Sequence, residues 1–133
     1  MAGFIDIKHE RLKINMKKPP SMRNKKRYIF FKIISDEKVN FNEVKNAVWN
    51  SVLNWMGESN AAKADIAFIR NLWDSKQGIC VIRCVPKYVD DVKMSLALVH
   101  QIGEARVILQ TLLVSGTIKS AKKKLKNKIG LSV

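Results

Sequence analysis

The chain has 133 residues, 47% of them hydrophobic, and a formal net charge of +14 at pH 7. This length and composition suffice for one domain with a core of its own, and no apolar run approaches the ~20 residues that a membrane span requires. The start of the sequence lacks the charged-then-apolar order of a secretory signal peptide. We therefore expect a single-domain cytoplasmic protein with no membrane partner.

The excess positive charge lies at the two ends of the sequence. Residues 1–27 carry nine Lys or Arg against two acidic residues, and residues 116–133 carry six Lys and no acidic residue. Residues 28–115 carry ten basic and nine acidic side chains. A nearly neutral body between two cationic segments is typical of a protein that binds a polyanion, and nucleic acid is the first candidate.

The chain divides into a basic N-terminal arm, residues 1–18, and one domain, residues 19–133. Within that domain we expect a folded core, residues 27–115, and a basic C-terminal helix, residues 116–130.

The core begins with a strand and a helix. Residues 27–35 are rich in β-branched and aromatic side chains and too short for a core helix, so they predict strand one. Asn40 with Glu43 three residues later predicts a helix N-terminus, and Gly57 predicts its end. The apolar residues at helical spacing between them are Phe41, Val44, Val48, Val52 and Trp55.

A hairpin follows. Residues 65–73 predict strand two and residues 78–85 strand three, joined antiparallel by a loop whose Gly78 suits a left-handed position. Cys80 and Cys84 are four residues apart on strand three, roughly 13 Å in an extended chain. That separation excludes a disulfide or a shared zinc ion, so we expect buried or half-buried thiols.

The second half repeats the pattern. Pro86 to Ile102 predicts helix two, with Asp90 and Asp91 in its first turn, where the helix dipole favours acidic groups. Residues 106–114 predict strand four because of their β-branched content. A basic helix closes the chain, and its apolar positions at helical spacing are Ile118, Ala121, Leu125 and Ile129.

The order β-α-β-β-α-β predicts an α+β, ferredoxin-like or RRM-like sandwich. We expect a four-stranded antiparallel sheet with strands one and three in the centre, two helices on one face and an extra C-terminal helix. The RNA recognition motif places stacking aromatic rings on strand three. Residues 77–84, QGICVIRC, have aliphatic and thiol side chains there. We therefore expect recognition of phosphate and shape instead of stacked bases.

Several blocks of the sequence resemble a known family. They are residues 19–29 (PPSMRNKKRYI), residues 78–84 (GICVIRC), and a late segment with Ile102-Gly103, Arg106, Thr111-Leu112 and residues 114–119 (VSGTIK). In this order the blocks resemble ribonuclease P protein component 2, the archaeal relative of the eukaryotic subunit Pop-five. The resemblance covers Pro19 to Lys124, and VSGTIK is its most specific block.

The resemblance implies a protein cofactor of a ribozyme. In that family the catalytic RNA removes the 5′ leader of precursor tRNA with magnesium held by the RNA, and component 2 pairs with component 3, a TIM-barrel-like subunit. It implies a non-catalytic subunit that binds ribonuclease P RNA with component 3, with precursor tRNA in the complex. A homodimer within a heterotetramer is one assembly compatible with this role. No cofactor is expected on the protein itself.

The candidate RNA-binding residues are the basic side chains before strand one, one arginine on strand three and the lysines of the closing helix. They are Arg23, Lys25, Lys26, Arg27, Arg83, Lys119, Lys122, Lys123, Lys124 and Lys126. Such runs are often only a solvated charged face. The neutral body and the expected proximity of strands one and four favour RNA. The amides of residues 115–117 are either a further phosphate contact or a plain helix start.

No catalytic or metal-binding residues are predicted. His9 and His100 are isolated, and the acidic pair of helix two has a helix-dipole explanation. The large aromatic residues exceed what one small core can hide, so we expect one or two of them at a protein interface. A ribosomal or other structural RNA-binding protein is the nearest competing function, and a small-molecule regulatory domain or protein-interaction module is a more distant one.

The closing helix raises a specific question about the sheet. The predicted helices one and two cover one face only, so the other face needs a cover. We expect that cover to be a partner, the closing helix, or both, and Leu125 is the side chain that tests it.

Overall fold

The computed structural model describes residues 25–129. Two short 3₁₀ turns, Arg70–Leu72 and Pro86–Tyr88, accompany the strands and helices. In chain order these are β1 (Arg27–Ser35), α1 (Phe41–Ala64), β2 (Ala67–Phe68), β3 (Ile79–Cys84), α2 (Val89–Leu98), β4 (Gln101–Ile102), β5 (Ala105–Ser115) and α3 (Ile118–Ile129). The α+β, ferredoxin-like plan is confirmed.

The strands form one antiparallel sheet in the order β2-β3-β1-β5-β4. As expected, β1 lies inside the sheet and pairs with β3 on one side and with β5 on the other. The sheet has five strands instead of the four predicted. The additional strand is β4, a two-residue edge strand paired with the start of β5.

The prediction that helix two extends to Ile102 is wrong. The helix ends at Leu98, and Gln101 and Ile102 pair with Arg106 and Ala105 across a two-residue turn. Gly103 occupies that turn at φ +61°, which glycine adopts without strain. Apolar spacing alone could not separate the last helical turn from this strand, because Val99 and Ile102 are buried in either case.

Strand two is much shorter than predicted. Its pairing with β3 is antiparallel, as expected, but it comprises only Ala67–Phe68. The last hydrogen bond to β3 in this segment is from the Ile69 amide to Val81 O (3.0 Å), and the 3₁₀ turn Arg70–Leu72 follows directly. This turn directs Ile69 and Leu72 towards the side of the sheet that α3 covers. Packing beneath that helix therefore ends the strand early.

The loop before β3 requires its glycine. Gly78 has φ +69°, as expected, and its amide donates to Asp74 O at 2.8 Å. A Cβ at this position would lie 2.9 Å from Ile33 O on β1, too close for any other residue without a backbone shift. Gly78 therefore sets both the turn and the close approach of the hairpin to β1.

Helix α1 begins as predicted and ends later. Asn40 Oδ1 accepts from the Glu43 amide (2.8 Å), and Glu43 Oε1 accepts from the Asn40 amide (3.0 Å), so the capping box is present. Gly57, at φ +80°, breaks the helix, but a second segment continues to Ala64. Buried Ala61 and Ala64 hold that segment against the body, which is why the glycine does not end the element.

One face of the sheet is buried along its length, and the other is buried only in part. Helices α1 and α2 cover one face over the main core, and α3 covers part of the other over a smaller core. The main core includes Ile29, Phe31, Ile33, Val44, Val48, Val52, Ile82, Val92, Leu96, Val107 and Leu109. The smaller core consists of Phe30, Ile79, Val81, Ala121 and Leu125.

Candidate nucleic-acid interface

The two basic segments converge because of strand pairing. Tyr28 at the start of β1 lies opposite Ser115 at the end of β5, and α3 begins three residues later. Arg27 Nη1 lies 3.8 Å from the position that a Cβ on Gly116 would take. The start of β1 and the start of α3 are therefore neighbours, which confirms the expected proximity for the described residues.

Helix α3 is anchored through a narrow apolar stripe. Thr117 Oγ1 accepts from the Ser120 amide (3.1 Å), which caps the helix at the predicted block. Ala121 and Leu125 are fully buried against Phe30 and Val81. The closing helix is thus part of the fold and covers part of the second sheet face, which is one of the covers expected. The side chain of Ile129 lies outside the described residues.

The lysines of α3 occupy its other positions. Lys119, Lys123, Lys124 and Lys126 are exposed, and Lys122 is half-buried. Before β1 and on β3, Lys25 is exposed, whereas Lys26, Arg27 and Arg83 are half-buried. We refer to these nine residues as the basic surface. Arg23, the remaining predicted contact, lies outside the described residues.

Arg83 faces the same side of the sheet as α3. It pairs with Tyr28 on β1 and with Ala67 on β2, in the same alternation as Val81 and Phe30. Its Nε is buried and makes no hydrogen bond within residues 25–129. A buried donor without an acceptor is costly, so an external acceptor near this guanidinium would be favourable.

Lys26 already has a partner. Its ammonium group forms a salt bridge with Asp65, the left-handed residue that ends α1. The hydrogen bond and charge of Lys26, with a smaller contribution from Arg83, lower the pKa of the Asp65 carboxyl group. Sequence reasoning missed Asp65 because nothing in the local pattern brings residue 65 to residue 26. Of the cations in the basic surface, Lys26 is therefore the least available to bind an external anion.

One further cation joins this region. Lys76, in the loop before β3, and Lys122 line the same groove of about 370 Å³ between that loop and α3, above Phe30 and Leu125. In the sequence Lys76 is an isolated loop lysine. Only the packing of α3 across the sheet brings the two together, so no sequence signal identifies it.

The sheet offers no exposed stacking platform where α3 crosses it. Phe30 is buried beneath the helix, and Ile79 and Val81 of β3 are buried beside it. This agrees with the expectation from the missing aromatic pattern on strand three. The exposed side chains on α3 are mainly the lysines of the basic surface.

The two cysteines and His100 were the other residues considered for chemistry or metal binding. Cys80 and Cys84 are free buried thiols, as predicted, and burial raises their pKa to about 12 and about 11. His100 is exposed, with Nδ1 3.3 Å from Leu98 O. Within residues 25–129 no group of three or more His, Cys, Asp or Glu side chains is placed to hold a metal ion. In the same range, no helix has the length and apolar character to cross a membrane.

Fold and charge define a ferredoxin-like domain with a cationic helix across its sheet. Comparison with known proteins identifies the family of this domain. The Rpp14/Pop5 family matches residues 27–126. Ribonuclease P protein component 2 of Pyrococcus furiosus is 43% identical over 112 residues, covering 84% of this chain and 92% of that protein. The protein of the same name from Methanocaldococcus jannaschii is 42% identical over 104 residues, covering 78% and 75%. The chain belongs to the Rpp14/Pop5 family, which confirms the resemblance.

A solved structure agrees on the fold. A chain in the cryo-EM structure of yeast Ribonuclease MRP matches with a TM-score of 0.56 at 14% identity, covering 76% of this chain and 79% of that one. At this identity the match supports the fold alone.

Proposed function

We propose that the protein is a non-catalytic subunit of ribonuclease P that binds the catalytic RNA through the basic surface. The observation that carries this proposal is that the start of β1, with Lys25, Lys26 and Arg27, and the start of the lysine-rich helix α3 are neighbours on a nearly neutral body. Membership of the Rpp14/Pop5 family supports the identity of the RNA. The proposed place of action is the cytoplasm.

The basic surface suits phosphate better than bases. Lysines on α3 are exposed on a helix that is fixed to the sheet, so they present charge at defined positions. Binding a phosphate releases condensed counterions, which makes each contact favourable at low salt and weaker at high salt. Arg27 beside the start of α3, and Arg83 on the same side of the sheet, add planar donors that suit a phosphate group.

In this proposal the chemistry belongs to the RNA. Magnesium held by the RNA would supply the metal-ion chemistry for removal of the 5′ leader of precursor tRNA, and the lysines of the basic surface would reduce repulsion between RNA phosphates. Protein component 3 binds alongside, and a homodimer within a heterotetramer is the proposed assembly. The protein then lowers the magnesium concentration that the RNA needs.

Reconstitution tests the proposal. The full-length protein should bind purified ribonuclease P RNA more tightly than an unrelated structured RNA of equal length. Cleavage of precursor tRNA should require the RNA, rise when component 3 is added, and need less magnesium with the protein present. Equal affinity for both RNAs would favour a general structural RNA-binding protein. Leader removal by rigorously RNA-free protein would contradict the non-catalytic role.

A further inference from the structure

The basic surface contains one cation that is already neutralised. Lys26 directly precedes β1 and forms a salt bridge with Asp65, the residue that follows α1. Among residues 25–129 this is the one salt bridge present. A carboxylate therefore lies on the surface that we assign to RNA, where it opposes the binding of phosphate.

The local chemistry of residue 65 favours a neutral side chain. Asp65 has φ 52° and ψ 54°, and it is the one non-glycine residue in the described part of the chain with a positive φ. Glycine is usual at such a position after a helix because it has no Cβ, and asparagine is the next most common residue. The carboxylate also lies at the C-terminal end of α1, where the helix dipole disfavours negative charge.

The salt bridge adds little to the stability of the fold. The side chain of Asp65 is 64% exposed and that of Lys26 is 25% exposed, so solvent screens the pair. The end of α1 is held without it, because Ala61 and Ala64 are buried and the Val85 amide donates to Ala64 O at 3.0 Å. Folding therefore does not explain why residue 65 is acidic, and its effect on the neighbouring cations does.

Asp65 resembles a bound phosphate in its contacts. The hydrogen bond and charge of Lys26, and to a smaller degree the charge of Arg83, stabilise the ionised carboxyl group and lower its pKa. A phosphate of the RNA backbone offers the same kind of charged acceptor oxygen to the same cations. The carboxylate and a phosphate repel each other, so they compete for Lys26 instead of sharing it.

Competition at one lysine changes the affinity for RNA in a defined way. Each phosphate that a Lys or Arg neutralises adds to the electrostatic part of the binding free energy, and this part does not depend on the RNA sequence. A lysine that must first leave a carboxylate contributes less than a free lysine. The effect should therefore be the same for every RNA that reaches this end of the basic surface.

We propose that Asp65 is an internal competitor of RNA phosphate: its carboxylate holds Lys26 in the free protein and has to release it before that lysine binds the RNA. Asp65 thereby lowers the affinity of the basic surface for RNA. This inference rests on the proposed function for the surface at which RNA binds, and it requires only a phosphate backbone, whatever the RNA.

RNA titrations with the full-length protein near 0.1 M salt test the competition. Asp65→Asn should tighten the binding of ribonuclease P RNA and of an unrelated structured RNA about fourfold, within what an exposed ion pair contributes. Asp90→Asn is the matched control, because Asp90 is an exposed aspartate of α2, the helix on the other face of the sheet. It removes the same charge and should change the affinity less than about twofold, since salt screens distant charges.

Substitution of Lys26 distinguishes competition from simple repulsion of the RNA by Asp65. Lys26→Ala should weaken RNA binding about twofold in the otherwise unsubstituted protein. In the Asp65→Asn protein it should weaken binding about eightfold, the value of one full phosphate contact near 0.1 M salt. In the Lys26→Ala protein, Asp65→Asn should then change the affinity less than about twofold. A fourfold tightening that persists without Lys26 would show simple repulsion and overturn the competition.

The two RNAs separate this inference from the proposed function. The internal competitor is overturned if Asp65→Asn leaves both affinities unchanged, weakens them, or tightens the binding of one RNA alone. None of these results affects a preference of the unsubstituted protein for ribonuclease P RNA. Equal affinity of the unsubstituted protein for the two RNAs counts against the proposed function and leaves the competition testable on either RNA. Failure to bind any RNA overturns both.

Discussion

The two faces of the central sheet are covered in different ways. On one face, α1 and α2 bury a large core and carry four acidic and three basic residues between them. On the other face, α3 contributes Ala121 and Leu125 to a small core, and its described side chains include five lysines and no acid. The difference separates two tasks: the first face supplies most of the folding free energy, and the second holds a cationic helix at a fixed place.

This division has a physical basis. Hydrophobic stabilisation is proportional to the apolar area removed from water, so a large core tolerates few polar substitutions. A helix that needs only a narrow stripe for attachment leaves its remaining positions free for lysine. We therefore expect substitutions on the two faces to affect different measured quantities, and the predictions below test that separation.

The largest expected effect is the salt dependence of RNA binding. If about six phosphates are neutralised, the affinity should fall on the order of a thousandfold between 50 and 200 mM salt. Filter binding or fluorescence anisotropy over that range measures it. Trp55→Ala on the other face should give the same slope. A flat salt response would show that the basic surface is not the RNA-binding face.

The second prediction concerns the attachment of α3. Leu125→Ala should lower the free energy of unfolding by about 2 to 3 kcal/mol, because a fully buried leucine leaves a cavity. Chemical denaturation measures this difference. Ile108→Ala, on a 63% exposed residue of β5, is the control and should stay within about 0.5 kcal/mol. A similarly small change for Leu125→Ala would mean that α3 is a free basic tail.

The third prediction concerns substitutions that should change RNA affinity and leave stability unchanged. Replacing Lys122, Lys123, Lys124 and Lys126 together by Ala should leave the free energy of unfolding unchanged within about 0.5 kcal/mol. If two of the four lysines contact phosphate, RNA affinity near 0.1 M salt should fall about 60-fold and the salt slope by about 2. Thermal melting and RNA titration on the same samples test both halves. A large loss of stability with intact RNA binding would reverse the assignment of the two faces.

The smallest expected effect is at the salt bridge between Lys26 and Asp65. Because the pKa of Asp65 is lowered in the folded state, its stabilisation is present above the unfolded pKa and is lost as pH falls through the folded pKa. Asp65→Asn should cost less than about 1 kcal/mol at pH 7, since the Asp65 side chain is 64% exposed and solvent screens the pair. Denaturation at pH 7 and at successively lower pH should show the difference shrinking as Asp65 becomes protonated in the folded state. Asn tolerates the left-handed backbone of residue 65, so a difference that persists at low pH would point to another cause.

From the sequence we expected one or two large aromatic residues at a protein interface, but the sequence did not indicate which ones. Phe30 and Phe31 are buried and Trp73 is half-buried, whereas Trp49 and Trp55 are exposed. Helical spacing placed Trp55 on the apolar stripe of α1, but the side chain is 47% exposed and its Nε1 donates to Asp91 Oδ1 on α2. The excess of large aromatic residues was visible in the composition, and which of them face solvent depends on how α1 and α2 meet.

What the sequence determined by itself were the features set by local chemistry. The bounds of β1, the capping box at Asn40, the left-handed Gly78, the acidic first turn of α2 and the basic closing helix all follow from patterns within a few residues. The VSGTIK block and its companions identified the family. The tertiary structure decided the length of β2, the pairing of β4, the salt bridge of Lys26 with Asp65, the groove shared by Lys76 and Lys122, and the hydrogen bond of Trp55 with Asp91. Each of these depends on a contact between residues far apart in the chain, and such contacts leave no periodic signal in the sequence because they are fixed only when the elements pack together.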